Sequence, residues 1–172
     1  MNSFCNWHVI FVETGEEEKV KLRLTYKMGN RYSFAVPKRR LRERKFGQWK
    51  EVLRPLFPGY VFMQGTIPHE EYVRFRHIPG ILRTIRSGQE MACVCEHEME
   101  FIGKITDGGD MIGYSDIFVA GEEVQIVSGP LINLAACIQH IDKRKGRAKV
   151  KMHFLGQERV IDLGINVLTH IS

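Results

Sequence analysis

A glycine-rich stretch past the middle of the chain separates two different sequence patterns. Residues 106–115, TDGGDMIGYS, contain three glycines and few side chains that pack. This composition is typical of a flexible connection. A chain of 172 residues with 44% hydrophobic content is long enough for one ordinary domain or two small ones. We therefore predict two domains, at residues 1–104 and 118–172, joined by a linker at residues 105–117.

Before this stretch, strand and helix patterns alternate. Residues 7–12, WHVIFV, have the composition of a buried strand, and Thr14 and Glu17 have the spacing of a capping box that opens a helix at residues 16–27. Residues 47–48 interrupt two extended arms, which predicts a hairpin. The remaining elements are strands at residues 32–36, 60–63 and 81–86 and helices at residues 68–77 and 96–104. This order predicts an α/β sandwich with a mainly antiparallel sheet.

After the glycine-rich stretch, the pattern changes to short strands separated by turns. These strands are predicted at residues 123–127, 135–141, 147–154, 159–163 and 167–170. Such a set favours a small closed barrel, because closure removes exposed sheet edges. The predicted fold class is therefore α+β, with an N-terminal α/β sandwich, a flexible linker and a small five-stranded C-terminal β-barrel.

The sequence lacks the signals of several functional classes. It has no phosphate-binding loop, no Gly-x-Ser-x-Gly motif and no patterned nucleophile, so we predict no catalytic residues and no cofactor. The segment CVCEH at residues 93–97 lacks a fourth ligand at the usual spacing, so we predict no metal site. No apolar run approaches the roughly 18 to 20 residues of a membrane span, the first residues do not resemble a secretion signal, and the four cysteines do not suggest a disulfide framework. We expect a cytoplasmic protein that is not an enzyme and has no membrane partner.

Positive charge is concentrated in particular segments of the chain. A formal charge of +5 and a pI near 9.1 favour an anionic partner. In DKRKGRAKVK, residues 142–151, cations alternate with Ala148 and Val150, so one strand face presents positive charge while the other packs. Such a stripe neutralises phosphates; a solvated strand face is the alternative. The candidate nucleic-acid-binding residues are Lys143, Arg144, Lys145, Arg147, Lys149 and Lys151, with Asn133 and His140 as polar readout groups.

Two pairs of segments carry a resemblance to a known family. RPLFPGYVFM at residues 54–63, followed by VRFRHIPGI at residues 73–81, resembles the N-terminal (NGN) domain of the NusG family. GEEVQIVSGPLINLAACIQHID at residues 121–142, followed by RAKVKMHFLGQERVIDL at residues 147–163, resembles the KOW barrel of that family. The resemblance implies a transcription elongation factor that binds RNA polymerase. We expect it to act as a monomer.

The C-terminal half bears on the subtype within this family. Its basic KOW region resembles the specialised LoaP-type antiterminators, which recognise an RNA hairpin in a leader transcript. Ala136 stands where the KOW motif usually has a turn glycine. On this resemblance, the basic residues of the KOW region contact RNA. The alternatives are a general NusG factor that binds ribosome or termination factor through Leu131 and Phe154, and a ribosome-associated KOW protein that binds RNA.

The resemblance also assigns polymerase contacts to the N-terminal half. The hydrophobic surface that grips the polymerase clamp helices is expected to include Phe57, Tyr60 and Phe62. Trp7 and Ile81 are expected to border it. For each residue, ordinary core packing is the alternative, because side chains alternate between the two faces of a strand.

Two further contacts are implied by the position of matching segments. The start of the second helix, Pro68, His69 and Glu70, is expected to touch the polymerase gate loop. The cations of the hairpin are candidate contacts to upstream or non-template DNA, where electrostatic contact needs no sequence code. A solvated hairpin is the alternative. These cations are Arg39, Arg40, Arg42, Arg44 and Lys45.

Overall fold

The computed structural model describes residues 6–82 and 91–169. Its helices are α1 (Glu17–Met28), α2 (His69–Phe75) and α3 (Glu96–Thr106). Its strands are β1 (Trp7–Phe11), β2 (Ser33–Ala35), β3 (Lys38–Lys45), β4 (Gln48–Pro55), β5 (Tyr60–Gln64), β6 (Met91–Cys93), β7 (Met111–Ile112), β8 (Ser115–Ala120), β9 (Glu123–Ser128), β10 (Ile138–Asp142), β11 (Arg147–Phe154) and β12 (Gln157–Leu168). None of the helices in these ranges has the length and hydropathy that a membrane span requires.

The chain forms two compact units. The first unit comprises Met1–Pro37 and Phe57–Glu100. The second unit comprises Lys38–Leu56 and Phe101–Ser172. The chain therefore leaves the first unit for the length of the β3–β4 hairpin and then returns to it.

The first unit is built on an antiparallel sheet with the strand order β2-β5-β1-β6. Helix α1 contributes Val20, Leu24 and Met28, spaced about one turn apart, to a buried core. Burial of an aliphatic side chain of this size stabilises the fold by about 1.5–3 kcal/mol. The sheet and the region around α2 contribute the rest of the core: Ile10, Val12, Val36, Val61, Met63, Phe75 and Ile78. The predicted packing of helices on an antiparallel sheet is confirmed in this unit.

The start of α1 differs from the predicted capping box. The N-cap residue is Glu16, which makes no side-chain capping bond. The carboxylate of Glu17 instead accepts hydrogen bonds from the backbone N–H groups of Gly15 (2.9 Å) and Gly59 (2.8 Å). These two donors offset the cost of burying the Glu17 side chain. Glu17 therefore ties the first turn of α1 to the turn that precedes β5.

The elements around α2 are shorter than predicted. Pro68 occupies the N-cap of α2 rather than its first helical position. Of the strand predicted at residues 81–86, Ile81 forms an isolated antiparallel bridge with Val12. Residues 83–86 lie outside the described ranges.

The predicted hairpin is confirmed. β3 and β4 pair along their full length, from Lys38 opposite Pro55 to Lys45 opposite Gln48. The turn residues are Phe46, with φ 51°, and Gly47, with φ 77°. Two consecutive positive φ values are those of the type I′ turn, which matches the twist of the flanking strands.

The hairpin belongs to the second unit, whereas the sequence places it in the domain at residues 1–104. β3 pairs in parallel with β7, and its backbone crosses β12 at Gly164. A Cβ added at Gly164 would collide with the carbonyl oxygen of Arg40 and would lie 2.6 Å from the ring of Tyr114. The missing side chain at Gly164 therefore permits the close approach of β3.

The segment predicted as a linker at residues 105–117 contains regular structure. It includes the end of α3, the whole of β7 and the start of β8. Ile112 is fully buried, and the hydroxyl of buried Ser115 accepts a hydrogen bond from the backbone N–H of Leu131 at 2.9 Å. Burial and pairing with β3 order this segment despite its glycine content.

The main sheet of the second unit has the strand order β10-β11-β12-β8-β9. One long strand, β12, runs through most of the two strands predicted at residues 159–163 and 167–170, and β8 begins in the segment predicted as linker. The strand predicted at residues 135–141 opens with a 3-10 turn at Ala135–Cys137. Among the described residues the pairing runs in an open order from β10 to β9, so closure of the barrel stays a prediction. The core of this unit includes Ile117, Leu131, Ala148, Val150, Phe154, Ile161, Leu163 and Ile165.

Candidate functional site

One face of the sheet in the first unit carries aromatic residues of the predicted polymerase surface. Directly paired residues on neighbouring strands lie on the same face. The register between β1 and β5 pairs Trp7 with Gln64, Val9 with Phe62, and Phe11 with Tyr60. The structure therefore places Trp7, Tyr60 and Phe62 on one face, which we call the aromatic face.

The aromatic face has an enclosed centre and more accessible ends. Phe62 is 1% exposed and Phe57 is 5% exposed, and their ring centroids lie 6.1 Å apart. Trp7, Phe11 and Tyr60 are half-buried, and the rings of Phe11 and Tyr60 meet edge to face at 5.6 Å. Phe57 and Phe62 thus follow the core-packing alternative, and Tyr60 remains accessible to a partner. Phe11 joins this face although the sequence interpretation did not select it; strand alternation from Trp7 is the signal that finds it.

The remaining predicted polymerase contacts lie on the other side of this sheet, with α1. Ile81 is half-buried against the core under α1. Helix α2 packs Phe75 into the same core. Pro68 and Glu70 are exposed at the start of α2, and His69 is its first residue. The structure therefore does not bring these residues together with Tyr60.

Two of the predicted DNA-binding cations of the hairpin contact other parts of the second unit. Arg39 donates a hydrogen bond from Nη1 to the backbone carbonyl of Asp162 at 2.6 Å, and burial lowers the pKa of the Arg39 guanidinium. Arg42 donates from Nη2 to Oδ1 of Asn166 at 2.7 Å and lies 4.3 Å from the ring centroid of Tyr114. These guanidinium groups hold the base of the hairpin against β12.

The other three hairpin cations are exposed. Arg40 lies 3.9 Å from a carboxylate oxygen of Glu51, a separation at which an exposed pair contributes little. Arg44 donates to the backbone carbonyl of Gly47 at 3.3 Å, and Lys45 lies over the ring of Phe46. Of the predicted DNA-binding set, these three cations are therefore the ones exposed to a nucleic acid.

The basic strip predicted at residues 142–151 has three cations on β11, and all three are paired with carboxylates. Arg147 and Lys149 flank Asp162, with N–O distances of 3.4 Å and 3.3 Å. Lys151 lies 2.8 Å from the carboxylate of Glu158. These pairs reduce the positive charge that the strand face offers to a phosphate.

The turn between β10 and β11 differs from the strand that follows it. Asp142 accepts a hydrogen bond from the backbone N–H of Lys145 at 2.9 Å, which is the main reason that the pKa of Asp142 is lowered. The ammonium group of Lys145 lies 3.9 Å from the same carboxylate. Lys143 and Arg144 are exposed, and in the described part of the chain no carboxylate forms an ion pair with either. We call Lys143 and Arg144 the turn cations.

The alternation predicted for β11 is confirmed. The two predicted polar readout residues, His140 and Asn133, lie in different places. Ala148 and Val150 are fully buried. His140 is exposed on β10 and pairs with Lys149, so it lies beside the strip. Asn133 lies in the loop before β10 and lines a cleft of about 650 Å³ between that loop and the end of α3. His140 therefore lies beside the cations of β11, whereas Asn133 lies at the cleft.

One cysteine forms a disulfide bond, which the cysteine count of the sequence does not predict. Cys93 is disulfide-bonded, whereas Cys95 and Cys137 are free thiols. Within residues 6–82 and 91–169, no three side chains of His, Cys, Asp or Glu are placed to hold a metal ion together.

Comparison with models of known protein families identifies the family of this chain. The family model described as "Transcription termination factor nusG" matches residues 5–103. The chain belongs to the NusG family. This match spans β1 to α3 and includes both the aromatic face and the β3–β4 hairpin.

Relatives of the NusG family match nearly the whole chain. The transcription termination/antitermination protein NusG of Bacillus subtilis (strain 168) is 29% identical over 92% of this chain and 94% of its own length. The protein of the same name from Thermus thermophilus is 26% identical over 91% and 94%. A solved structure, described as "Domain interaction in Thermotoga maritima NusG", is similar with a TM-score of 0.57 and 26% identity, and the match covers 92% of this chain and 93% of that one.

The loop that carries Ala136 places its positive φ values at other residues. Ala136 lies inside the 3-10 turn Ala135–Cys137. The positive φ values of this loop fall at Gly129 (93°) and Asn133 (70°) instead. Asparagine tolerates this backbone region better than most residues with a side chain. The sharp changes of direction in this loop therefore fall at Gly129 and Asn133, and Ala136 needs no positive φ.

Proposed function

We propose that this NusG-family protein is a processive transcription antiterminator of the LoaP type. In this proposal the first unit binds RNA polymerase through the aromatic face, with Tyr60 as a central contact. The second unit binds an RNA hairpin in a leader transcript through the turn cations.

The observation that carries the RNA part of the proposal is the availability of the turn cations. Lys143 and Arg144 are exposed at a tight turn, whereas Arg147, Lys149 and Lys151 already face carboxylates. A cation that reaches a phosphate releases condensed counterions and gains affinity from it. The turn cations are therefore the strongest candidates for phosphate contact within the predicted strip.

The burial of two apolar residues weighs against a general factor that uses them. Leu131 and Phe154 are the contacts that a general factor is expected to use for a ribosome or a termination factor, and both are fully buried. A protein partner nevertheless has one observation in its favour. Ile132 is about half exposed beside the cleft that Asn133 lines, and an exposed apolar side chain at a cleft suits a protein contact. Binding of a protein by the second unit is therefore the competing function.

The proposed mechanism is stabilisation of one polymerase conformation. A factor that bridges two mobile parts of the polymerase disfavours an open, paused state only if it binds the closed state more tightly. The RNA contact contributes separately, because a tethered factor acts at a high effective concentration. Together these effects predict long-lasting terminator readthrough on transcripts that carry the RNA element.

The test is transcription by purified polymerase on templates that contain a terminator, with and without the leader identified by crosslinking RNA to the protein in cells. We expect readthrough to rise when the protein is added and to depend on the leader. Readthrough that is independent of the leader supports the general factor. Pausing and termination that ignore the protein on every template contradict the polymerase part of the proposal.

A further inference from the structure

The tip of the β3–β4 hairpin exposes an aromatic ring at a strained backbone position. Phe46 is 92% exposed and has φ 51°, a region that bulky residues rarely adopt. Exposure leaves its apolar surface in water, and the turn is better suited to Asn, Asp or Gly. Neither property stabilises the fold. A ring retained under these conditions is a candidate for contact with a partner.

One cation lies over this ring, and others lie on the flanking strands. The ammonium group of Lys45 lies 5.7 Å from the centroid of Phe46. Arg44 and Lys50 are also exposed, and Trp49 opposite Arg44 is 46% exposed. We call these five residues the hairpin tip. Interleaved aromatic and basic side chains suit a nucleic acid, because rings stack on bases while cations hold the flanking phosphates.

The middle of β3 lies beside the turn that carries the turn cations. Nη2 of Arg147 donates to the backbone carbonyl of Arg42 at 3.4 Å. A Cβ added at Gly146 would lie 3.6 Å from Nη1 of Arg42. Beyond Arg42, β3 continues for three residues, about 10 Å, to Lys45. All of these residues belong to the second unit, so Lys45 at the hairpin tip lies about 10 Å along β3 from a contact with the turn that carries the turn cations.

Selective recognition of an RNA stem-loop requires an aromatic ring for an unpaired base and cations for the phosphates of the stem. A-form RNA hides its base edges in a deep, narrow groove, so selective proteins read unpaired bases by stacking and hold the stem through its phosphates. The turn between β10 and β11, DKRKGR at residues 142–147, supplies cations but no aromatic ring. The hairpin tip supplies the ring.

We propose that the hairpin tip is the second half of the RNA site. Phe46 stacks on an unpaired base of an RNA stem-loop, and Arg44, Lys45 and Lys50 contact the phosphates that flank this base. The turn cations hold the paired stem. This inference rests on the proposed RNA-binding function and reassigns the hairpin cations from DNA to RNA, because the hairpin is attached to the sheet that carries the turn cations.

The direct test compares two synthetic RNA stem-loops, one with an unpaired purine in its stem and one fully paired. Wild-type protein should prefer the first probe. Phe46→Ala should lower affinity for that probe by about tenfold, the loss expected from one stacked base, and should leave affinity for the paired probe nearly unchanged. Tyr26→Ala is the matched control, because Tyr26 is 94% exposed on α1, and it should change neither affinity.

A second substitution separates stacking from turn geometry. Asparagine adopts positive φ more readily than phenylalanine, so Phe46→Asn keeps the turn and removes the ring. It should lose the preference for the unpaired base as fully as Phe46→Ala does. Retention of that preference by both Phe46 variants overturns the inference.

Neutral substitutions test whether the cations of the hairpin tip contact RNA. Replacing Arg44, Lys45 and Lys50 with Gln should flatten the salt dependence of RNA binding, by about one slope unit or less for each lost phosphate contact. If this variant instead weakens binding to a forked DNA probe and leaves RNA binding intact, the hairpin contacts DNA and the inference is wrong. If Lys143→Gln with Arg144→Gln also leaves RNA binding unchanged, the proposed function fails together with it.

Discussion

The aromatic face and the basic strip lose predicted members for different physical reasons. Phe57 and Phe62 are withdrawn into the interior, where burial of a large apolar side chain contributes about 1.5–3 kcal/mol. Arg147 and Lys149 remain near the surface but are paired with Asp162. Burial therefore determines which residues of the aromatic face a partner can reach. Neighbouring carboxylates determine which cations of the basic strip are unpaired.

The largest effect is expected at the enclosed centre of the aromatic face. Phe62→Ala should lower the free energy of unfolding by about 3–5 kcal/mol, the usual cost of removing a buried ring. Tyr60→Ala should cost less stability and should instead weaken polymerase binding by about 2 kcal/mol, roughly 30-fold. Urea unfolding and binding to purified polymerase measure the two effects. Full polymerase affinity in the Tyr60 variant would assign Tyr60 to the core with Phe62.

The docking of the hairpin predicts a smaller loss of stability. Gly164→Ala places a Cβ against the backbone of Arg40 and the ring of Tyr114 and should destabilise the protein by about 1–3 kcal/mol, as overpacking does. Hydrogen exchange should show faster opening of β3. Gly113→Ala is the control, because a Cβ there meets nothing within 4 Å. Equal stability of the two variants would contradict the close crossing of β3 and β12.

Local patterns predicted much of this structure, and long-range pairing limited the rest. The hairpin turn at Gly47 and the alternation in β11 follow from neighbouring residues. The attachment of Arg39 to Asp162 joins residues 123 positions apart, and no local pattern connects them. The division of the basic strip has the same origin, because Asp162 lies on the next strand. Charge density along the sequence therefore indicated a candidate site but not which of its cations are unpaired.

The smallest expected effect is the loss of the stability contributed by Asp116 at low pH. Asp116 accepts a hydrogen bond from Nδ2 of Asn166 at 2.8 Å, and Oδ1 of the same amide holds Arg42. The hydrogen bonds from Asn166 and then Ser128 lower the pKa of Asp116 below its usual 3.8. Its contribution to folding is therefore complete above the unfolded pKa and is lost as pH falls through the lower folded value.

Asp116→Asn isolates this contribution. The variant should be slightly less stable than wild type near neutral pH, and the difference should shrink below about pH 4, the range in which an unfolded Asp titrates. Chemical unfolding across a pH series measures it. A difference that grows as the pH falls would reverse the predicted sign.

We expect the turn cations, rather than the paired cations of β11, to contact the phosphates of the RNA stem. Two double variants remove equal charge: Lys143→Gln with Arg144→Gln, and Lys149→Gln with Lys151→Gln. Filter binding to the synthetic RNA stem-loop across a salt series should show that the first variant loses affinity and salt slope, by about one unit or less per lost contact. The second should remain close to wild type, because its cations already face Asp162 and Glu158. Equal losses in the two variants, or a wild-type slope in the first, would contradict the account.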